Sequence, residues 1–517
     1  MSGERGPSQA DELTTLGMEM YQYIQHGGAP YAVPKLGWGH ALPLRAQGRG
    51  NGVSVRAHLI RRYYEKTAKA PGQGAIADAI STLAAAAMDA PEMPIHLRVA
   101  PDPKDTEVTW LDLGRADGQS VRIGGREWET VAPAGPLGEI PLWRRTRLTG
   151  ELPIPARPAT GWKPALERLR ELMPVTDETW PMAVASLLAA LQPDMPRPLV
   201  YFTGEQGTGK STAGRMVLRI IEGPAADLRS MPRDEDDLAV VASAGWTLAL
   251  DNASGIPAWM SDALCRIVTG ATSAKRELFS DDDVSLIAYM RPTLLTGIDV
   301  GALRGDLAER MLRVELTPMS TSQRRSERDL WQTYRKMLPE VLGGLLELAA
   351  LVWAELPAAR EQLTERPRMA DFAELLWALD KVTGWSSLRQ YLGEQDDLVD
   401  DVLDADPVAS SLIAWAKMAE SSQRPGTTWA WHGSAEELLH SLSDYRGRDR
   451  IMDDKHWPKT GQVLVSRLKR AAPALRKRGI EYSRWRTKAG RGIDLVRASA
   501  PVPTQGGAPT IEQPVLR

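Results

Sequence analysis

The spacing of apolar residues changes several times along the chain, and each change marks a different part. Over residues 1–90 the period is mainly helical. Val55 to Lys69 and Ala75 to Met88 are the clearest helices, the second with Ile76, Ile80, Leu83 and Ala87 on one side. From Ile95 to Arg147 the pattern shortens to strands: His96–Val99, Val108–Leu113, Val121–Ile123 and Trp128–Val131 alternate or run apolar between turn signals such as Ala116-Asp117-Gly118, which predicts a small antiparallel module over residues 91–160. Its tryptophans, Trp110, Trp128 and Trp143, are expected in its core. A Pro-rich stretch, Leu152 to Pro164, leads to a helix from Asp177 to Leu191.

Residues 161–320 alternate short apolar strands with helices, the signature of an α/β core. Leu199-Val200-Tyr201-Phe202 is a buried strand, and Ala213 to Ile221 continues as a helix with Met216, Val217, Ile220 and Ile221 on one face. Between them stands Gly204-Glu205-Gln206-Gly207-Thr208-Gly209-Lys210-Ser211-Thr212, which fits G-x-x-x-x-G-K-[ST]. Glycines let successive backbone N–H groups face a pyrophosphate, and the helix start adds its positive end. Lys210 would reach the β and γ phosphates of ATP, and Ser211 would ligate Mg²⁺. A second strand, Trp246 to Leu250, ends in Asp251-Asn252, where the aspartate would hold Mg²⁺ through water. Asn252 stands where many such ATPases carry a water-activating glutamate. A third strand, Arg291 to Ile298, offers the Thr296 hydroxyl as a sensor, and the segment Leu303 to Leu316 follows with Arg304 and Arg310.

Helices come next. Arg328 to Trp353 and Met369 to Leu379 carry apolar faces and would form a lid over residues 321–407; an acidic stretch from Asp396 to Asp406 precedes a helix from Pro407 to Ser421. The final domain, residues 408–497, ends in a strongly basic run. Between Lys455 and Arg497 thirteen Lys and Arg face only Glu481 and Asp494, a balance of +11. From Thr460 the chain reads as a helix with Arg467, Lys469 and Arg470 outward, broken or kinked at Pro473 and closed by Arg476-Lys477-Arg478-Gly479. Ile480–Trp485 and Gly492–Val496 then alternate as a hairpin about Lys488-Ala489-Gly490-Arg491.

Composition adds boundaries. A chain of 517 residues holds roughly three domains. The net charge of −3 neither requires nor excludes a nucleic-acid partner, because a basic patch can sit within a neutral total. The one cysteine, Cys265, makes no internal disulfide and fits a reducing, cytoplasmic setting. The amino terminus lacks an apolar run, and the most apolar helix, Val341 to Leu356, is interrupted by Glu347 and Glu355, so no membrane partner is expected. Asp102, Asp105 and Glu107 read as turn residues, and the seven histidines show no close ligand spacing. Residues 498–517 are a Pro/Gly-rich tail.

Residues 180–320 resemble the AAA+ ATPase core of superfamily III helicases found in replication proteins of phages, plasmids and integrative elements, including primase-helicases. The resemblance rests on GEQGTGKST (204–212), LALDN (248–252), TGATSAKRELFSDDD (269–283), RPTLLTGID (291–299) and DLAERML (306–312). It implies a homo-oligomer, a hexameric ring, with ATP sites between subunits. By that likeness Arg310, or else Arg304, is the arginine that reaches a neighbour's nucleotide, and Lys275 and Arg276 lie at the base of a pore hairpin on single-stranded or forked DNA. Thr296 departs from the family's frequent asparagine, and the hairpin tip Ser280-Asp281-Asp282-Asp283 is acidic, which repels phosphate. No primase site is evident. The C-terminal helix and hairpin resemble a winged-helix domain, which would set Arg467, Lys469, Arg470, Arg476, Lys477, Arg478, Arg484, Lys488 and Arg491 against duplex DNA. The expectation is an AAA+ P-loop core flanked by an N-terminal helical region and β module and by a C-terminal winged-helix-like domain: an ATP-dependent DNA helicase or translocase. An ATP-switched initiator or scaffold that does not unwind DNA, or a defence-type NTPase, is the alternative.

Overall fold

The computed structural model describes residues 7–35, 39–45, 54–133, 137–253, 255–270, 272–276, 284–288, 290–297, 305–320, 325–364, 366–421, 429–448, 457–487 and 490–497. Arg304, Lys488, the hairpin tip at 280–283 and the tail from 498 lie outside these. The chain divides into two units, residues 1–301 with 310–394 and residues 302–309 with 395–517.

The first unit begins with helices Gln9–Met20, Val55–Thr67 and Gln73–Met88. Ser8 caps the first helix in a reciprocal bond pair with Asp11. Leu13, Leu59 and Leu83 are fully buried where these helices meet. The expectation of a helical region with Gly/Pro interruptions is corrected here by added strands. Tyr21–His26, Ala29–Pro34 and Leu42–Pro43 form a three-stranded antiparallel sheet. Gly27 and Gly28, with φ of 58° and 74°, supply the tight turn that Cβ-bearing residues resist.

The β module is a four-stranded antiparallel sheet, Val99–Pro101, Thr109–Asp112, Ser120–Gly124 and Glu127–Val131 in spatial order. Trp110, Trp128 and Trp143 are at most 4% exposed, as core residues should be. Asp102 accepts from the backbone N–H of Lys104 and Asp105 and from Trp110 Nε1, the behaviour of a turn aspartate. A buried ion pair ties the module to the α/β core. Arg98, 1% exposed, donates to the carbonyls of Asp112, Gly150 and Glu222 and lies 3.7 Å from the Glu222 carboxylate. Burial lowers the Arg98 guanidinium and raises the Glu222 carboxyl from their ordinary values, and each charge opposes the other's shift.

Two histidines beside this module, His40 buried and His96 half-buried, make its stability fall in acid. Burial, the larger effect, and then Arg145 hold His40 down to about 4; burial and His26 do the same for His96. Above pH 6.5 both are neutral whether folded or unfolded. Between pH 6.5 and 4 the unfolded chain takes protons that the folded one refuses, which removes up to about 1.4 kcal/mol per pH unit for each histidine. Urea unfolding should therefore lose stability more steeply over that range in the parent than in a His40→Leu, His96→Leu double variant. Equal losses in the two proteins would exclude the histidines as the cause.

The core sheet is parallel, in the spatial order Leu248–Leu250, Thr293–Thr296, Leu199–Thr203, Met311–Glu315. Buried on both faces, its strands carry the near-continuous apolar runs that such a sheet requires. Helix Lys210–Glu222 lays Met216, Val217, Ile220 and Ile221 against it. Gly214 permits that closeness, since a Cβ there would stand 2.9 Å from Thr296 Cγ2. Helix Glu327–Gln362, longer than the sequence suggests, runs through Pro339 and Pro357 and buries Leu342, Leu345, Leu346 and Trp353. It is long and apolar enough to cross a membrane by length and composition alone, yet 72% of its most apolar stretch is buried inside the protein. Ala156 of the Pro-rich stretch donates its N–H to the Pro339 carbonyl, so that stretch is fastened to the long helix.

In the second unit, helices Pro407–Ser421, Ala435–Arg448 and Gly461–Lys477 pack with a three-stranded antiparallel sheet ordered Trp429–Gly433, Gly490–Arg497, Ile480–Thr487. Leu412, Leu438, Leu464, Leu468, Leu475, Ile493 and Leu495 form its core. Of the break or kink expected at Pro473, the break is corrected: the helix continues through it to Lys477. A proline withdraws only its own N–H and crowds one carbonyl, a loss that the packed Leu468 and Leu475 on either side can outweigh.

Candidate functional site

All four core strands end on one edge, and the chemistry of the core gathers there. The loop after Leu199–Thr203 turns on Gly204, Gly207 and Gly209, with φ of 148°, 83° and 84°. Gly204 has a further reason to lack a side chain: a Cβ would stand 2.6 Å from the Leu316 carbonyl oxygen. Glu205, Gln206 and Gly207 are exposed, whereas Thr208 is fully buried and donates its hydroxyl to the Glu205 carbonyl at 3.0 Å. Gly209 caps the following helix, so the loop opens onto a helix amino terminus. Lys210 Nζ donates to the carbonyls of Gly204 and Glu205 at 2.9 and 2.7 Å, folding back across its own loop. Ser211 and Thr212 follow, both half-buried on the helix's first turn.

Three side chains from three elements converge beside the loop. Ser211 Oγ donates to Asp251 Oδ1 at 2.8 Å, and Thr296 Oγ1 donates to the same oxygen. Thr296 Oγ1 also accepts from the Asn252 N–H at 3.2 Å, and the Thr296 carbonyl accepts from the Ala253 N–H. Asn252 adopts a left-handed conformation, φ 55°, which asparagine tolerates better than most residues and which turns the chain sharply after Asp251. The strand register explains the convergence: Leu250 pairs with Leu295, so Asp251 and Thr296 are the next residues on adjoining strands. One hydroxyl and one carboxylate are hard oxygen donors of the kind Mg²⁺ takes. Among the described residues no group of three or more His, Cys, Asp or Glu could hold a metal.

Arg310 lies elsewhere. It precedes Met311–Glu315, and Met311 pairs with Leu199, so Arg310 sits at the amino edge of the sheet, a full strand length from the loop. Its carbonyl accepts from the Leu199 N–H at 2.7 Å, and its guanidinium lies 3.6 Å from Cys265 Sγ. Lys275 and Arg276 end the strand Thr272–Arg276, which pairs antiparallel with Val284–Ala288 between Asp251 and Thr296.

The basic residues expected on the second unit fall on its surface. Lys469, Arg470, Arg476, Lys477, Arg484 and Arg491 are exposed, and Arg467 and Arg478 are half-buried. Arg476 pairs with Glu481 at 3.1 Å, and Arg486 stands directly opposite Arg491 in the hairpin. Sequence reasoning missed Arg229, whose carbonyl accepts from the Asp251 N–H at 2.7 Å and whose half-buried side chain starts beside the site. Only the pairing of residue 229 with Leu250 brings it there. It also missed His432, which stacks flat on Trp485.

Residues 165–401 match the family described as actinomycete integrative conjugative element replication protein, and residues 408–507 match the C-terminal domain of the same AICE RepA family. In two consecutive segments, then, the chain matches a replication-protein family of mobile elements. No curated protein matches. Similar solved structures include the active helicase Cch of SCCmec type IV, at 12% identity and a TM-score of 0.45 with 90% of each chain covered. Another is the NrS-1 C-terminal region, at 11% identity and 0.37, covering 95% of this chain and 100% of that one. The JCV helicase aligns at 14% identity and 0.24 over 46% of this chain and 64% of its own.

Proposed function

We propose that the chain is an ATP-driven DNA helicase or translocase of the AAA+ class, acting as a ring-shaped oligomer in the replication of a mobile element, with a winged-helix-like C-terminal domain on duplex DNA. The observation that carries this is the meeting of Ser211 and Thr296 on one oxygen of Asp251, beside a glycine loop that opens onto a helix amino terminus. The N–H groups of residues 204–212 would surround the phosphates of ATP, and Lys210 would exchange the carbonyls of Gly204 and Glu205 for the β and γ phosphates. Ser211 and Asp251 would hold Mg²⁺, which when bound neutralises charge on the phosphates. Thr296 links Asp251 to the Asn252 backbone and so senses both.

Asn252 cannot take a proton, but phosphoryl transfer through a loose transition state asks chiefly for a positioned water and stabilised charge. The Asn252 side-chain amide, held by the left-handed turn, would position that water. Asn252, together with the acidic sequence at 280–283, is what favours the second reading, an ATP-switched initiator that assembles on DNA without unwinding it. Strand displacement on a forked substrate separates the two.

The position of Arg310 supports a shared site, since within one chain it stands at the wrong edge of the sheet to meet the phosphates. Arg310→Ala should bind ATP like the parent while hydrolysis falls about 10³-fold or more, the usual worth of such an arginine. Mixing it with Lys210→Ala protein should restore part of the activity, because one interface in the mixture combines an intact Lys210 with an intact Arg310. Parental hydrolysis by Arg310→Ala would remove it from the site and leave Arg304 as the candidate.

A further inference from the structure

The C-terminal sheet also carries a pair of stacked rings outside its apolar cluster. His432 and Trp485 lie parallel, 4.9 Å between centroids and 4° between planes. They belong to the two outer strands, Trp429–Gly433 and Ile480–Thr487, and meet across the central one. Gly492, directly opposite Trp485, makes the arrangement possible: a Cβ there would stand 2.4 Å from Trp485 Cζ2, so the indole lies over bare backbone. Asp494, opposite His432, holds the imidazole with its Oδ1 2.5 Å from Nδ1, where the carboxylate accepts and Nδ1–H donates.

This face is not the one that builds the core. Ile480, Tyr482, Ile493 and Leu495 point to the other side, into the apolar cluster with Leu464, Leu468 and Leu475, and Trp485 stands outside that cluster. The His432 side chain is 69% exposed. One face of its ring rests on Trp485, and the other is open. A carboxylate that fixes the imidazole and a glycine that seats the indole set the planes in advance, so a third ring could stack without first ordering them. Arg486 and Arg491, opposite one another near the hairpin end, respectively follow Trp485 and precede Gly492, and by strand alternation project to the side of Tyr482 and Leu495, away from the stacked rings.

We propose that His432 and Trp485 form a stacking platform for an unpaired base of single-stranded DNA. Stacking uses the face that every base has, so the platform tolerates any sequence. The proposal rests on the reading of this unit as DNA-binding, and adds to the expected duplex contacts a site for single-stranded DNA.

The full chain would be titrated with fluorescently labelled oligothymidine, with an abasic oligonucleotide of equal length, and with duplex. The parent should bind oligothymidine about tenfold more tightly than the abasic strand, within the worth of one base–aromatic stack. His432→Ala should bring that ratio close to one while leaving duplex affinity unchanged, and His432→Phe, which keeps a ring, should retain most of it. Trp485→Ala should act like His432→Ala, with far-UV circular dichroism checking the fold. An equal affinity of the parent for thymidine and abasic strands overturns the platform, as does an unchanged ratio in His432→Ala. Failure of the parent to bind any of the three DNAs instead removes the DNA-binding reading on which the platform stands.

Discussion

Lys210→Ala should reduce ATP hydrolysis below detection. The ammonium now spans the carbonyls of Gly204 and Glu205, which places it over the loop's concave side with its charge compensated only by dipoles. Entry of a triphosphate gives it stronger acceptors. Each hydrogen bond to a charged group is worth about 1.5–3 kcal/mol, so losing those to the β and γ phosphates weakens ATP binding at least ~tenfold. The larger loss falls on the chemical step, where the charge that develops on the transferred phosphate is left without its nearest cation. Phosphate release measures the first effect, and equilibrium binding of a slowly hydrolysed ATP analogue the second. Unchanged turnover would show that the glycine loop is not the catalytic site. Ser211 and Asp251 would then be a half-buried polar pair that only fastens the helix to the sheet.

Removing residues 408–517 should abolish most of the salt dependence of duplex binding while sparing basal ATPase activity. The segment Lys455 to Arg497 has a balance of +11, and six of its basic side chains named above are exposed. Each phosphate neutralised contributes about 0.9 to the slope of log affinity against log salt, so the slope should flatten by several units. Helix Gly461–Lys477 also packs on the short helix Gly305–Ala308, and deletion uncovers that surface. A second variant, Arg476→Ala with Lys477→Ala and Arg478→Ala, keeps the packing and should flatten the slope by about 2 to 3 units, the share of three phosphates. Fluorescence anisotropy over a range of salt concentrations reads both. If neither variant changes the slope, the duplex site lies in the first unit.

How much was legible beforehand depended on the range of the interaction that decides each feature. Residues 204–212 were readable because the glycines, lysine and serine act within one loop, where backbone freedom and a helix start are local properties. The strands ending at Asp251 and Thr296 were readable as apolar runs, and their register then brought the two side chains to one oxygen. The basic helix and hairpin followed from local periodicity and charge. The sheet at residues 21–43 was obscured by the helical pattern around it, although its Gly27-Gly28 turn between alternating residues was a signal that could have found it.

Other features depended on parts of the chain that lie far apart in sequence. Arg98 reads as an ordinary strand arginine until its carbonyl partners at Gly150 and Glu222 and the Glu222 carboxylate are brought around it. Arg229 stands beside Asp251 only because an isolated bridge pairs it with Leu250. His432 and Trp485 are 53 positions apart and stack only across the strand that carries Gly492 and Asp494. The amino-acid sequence by itself determined the identity of the phosphate-loop candidate, the apolar strands and the basic terminus, because local sterics, periodicity and charge settle these. Tertiary structure alone decided which side chains meet and that Arg310 lies at the far edge from the loop, because strand order and register are set by pairing and burial across the whole chain.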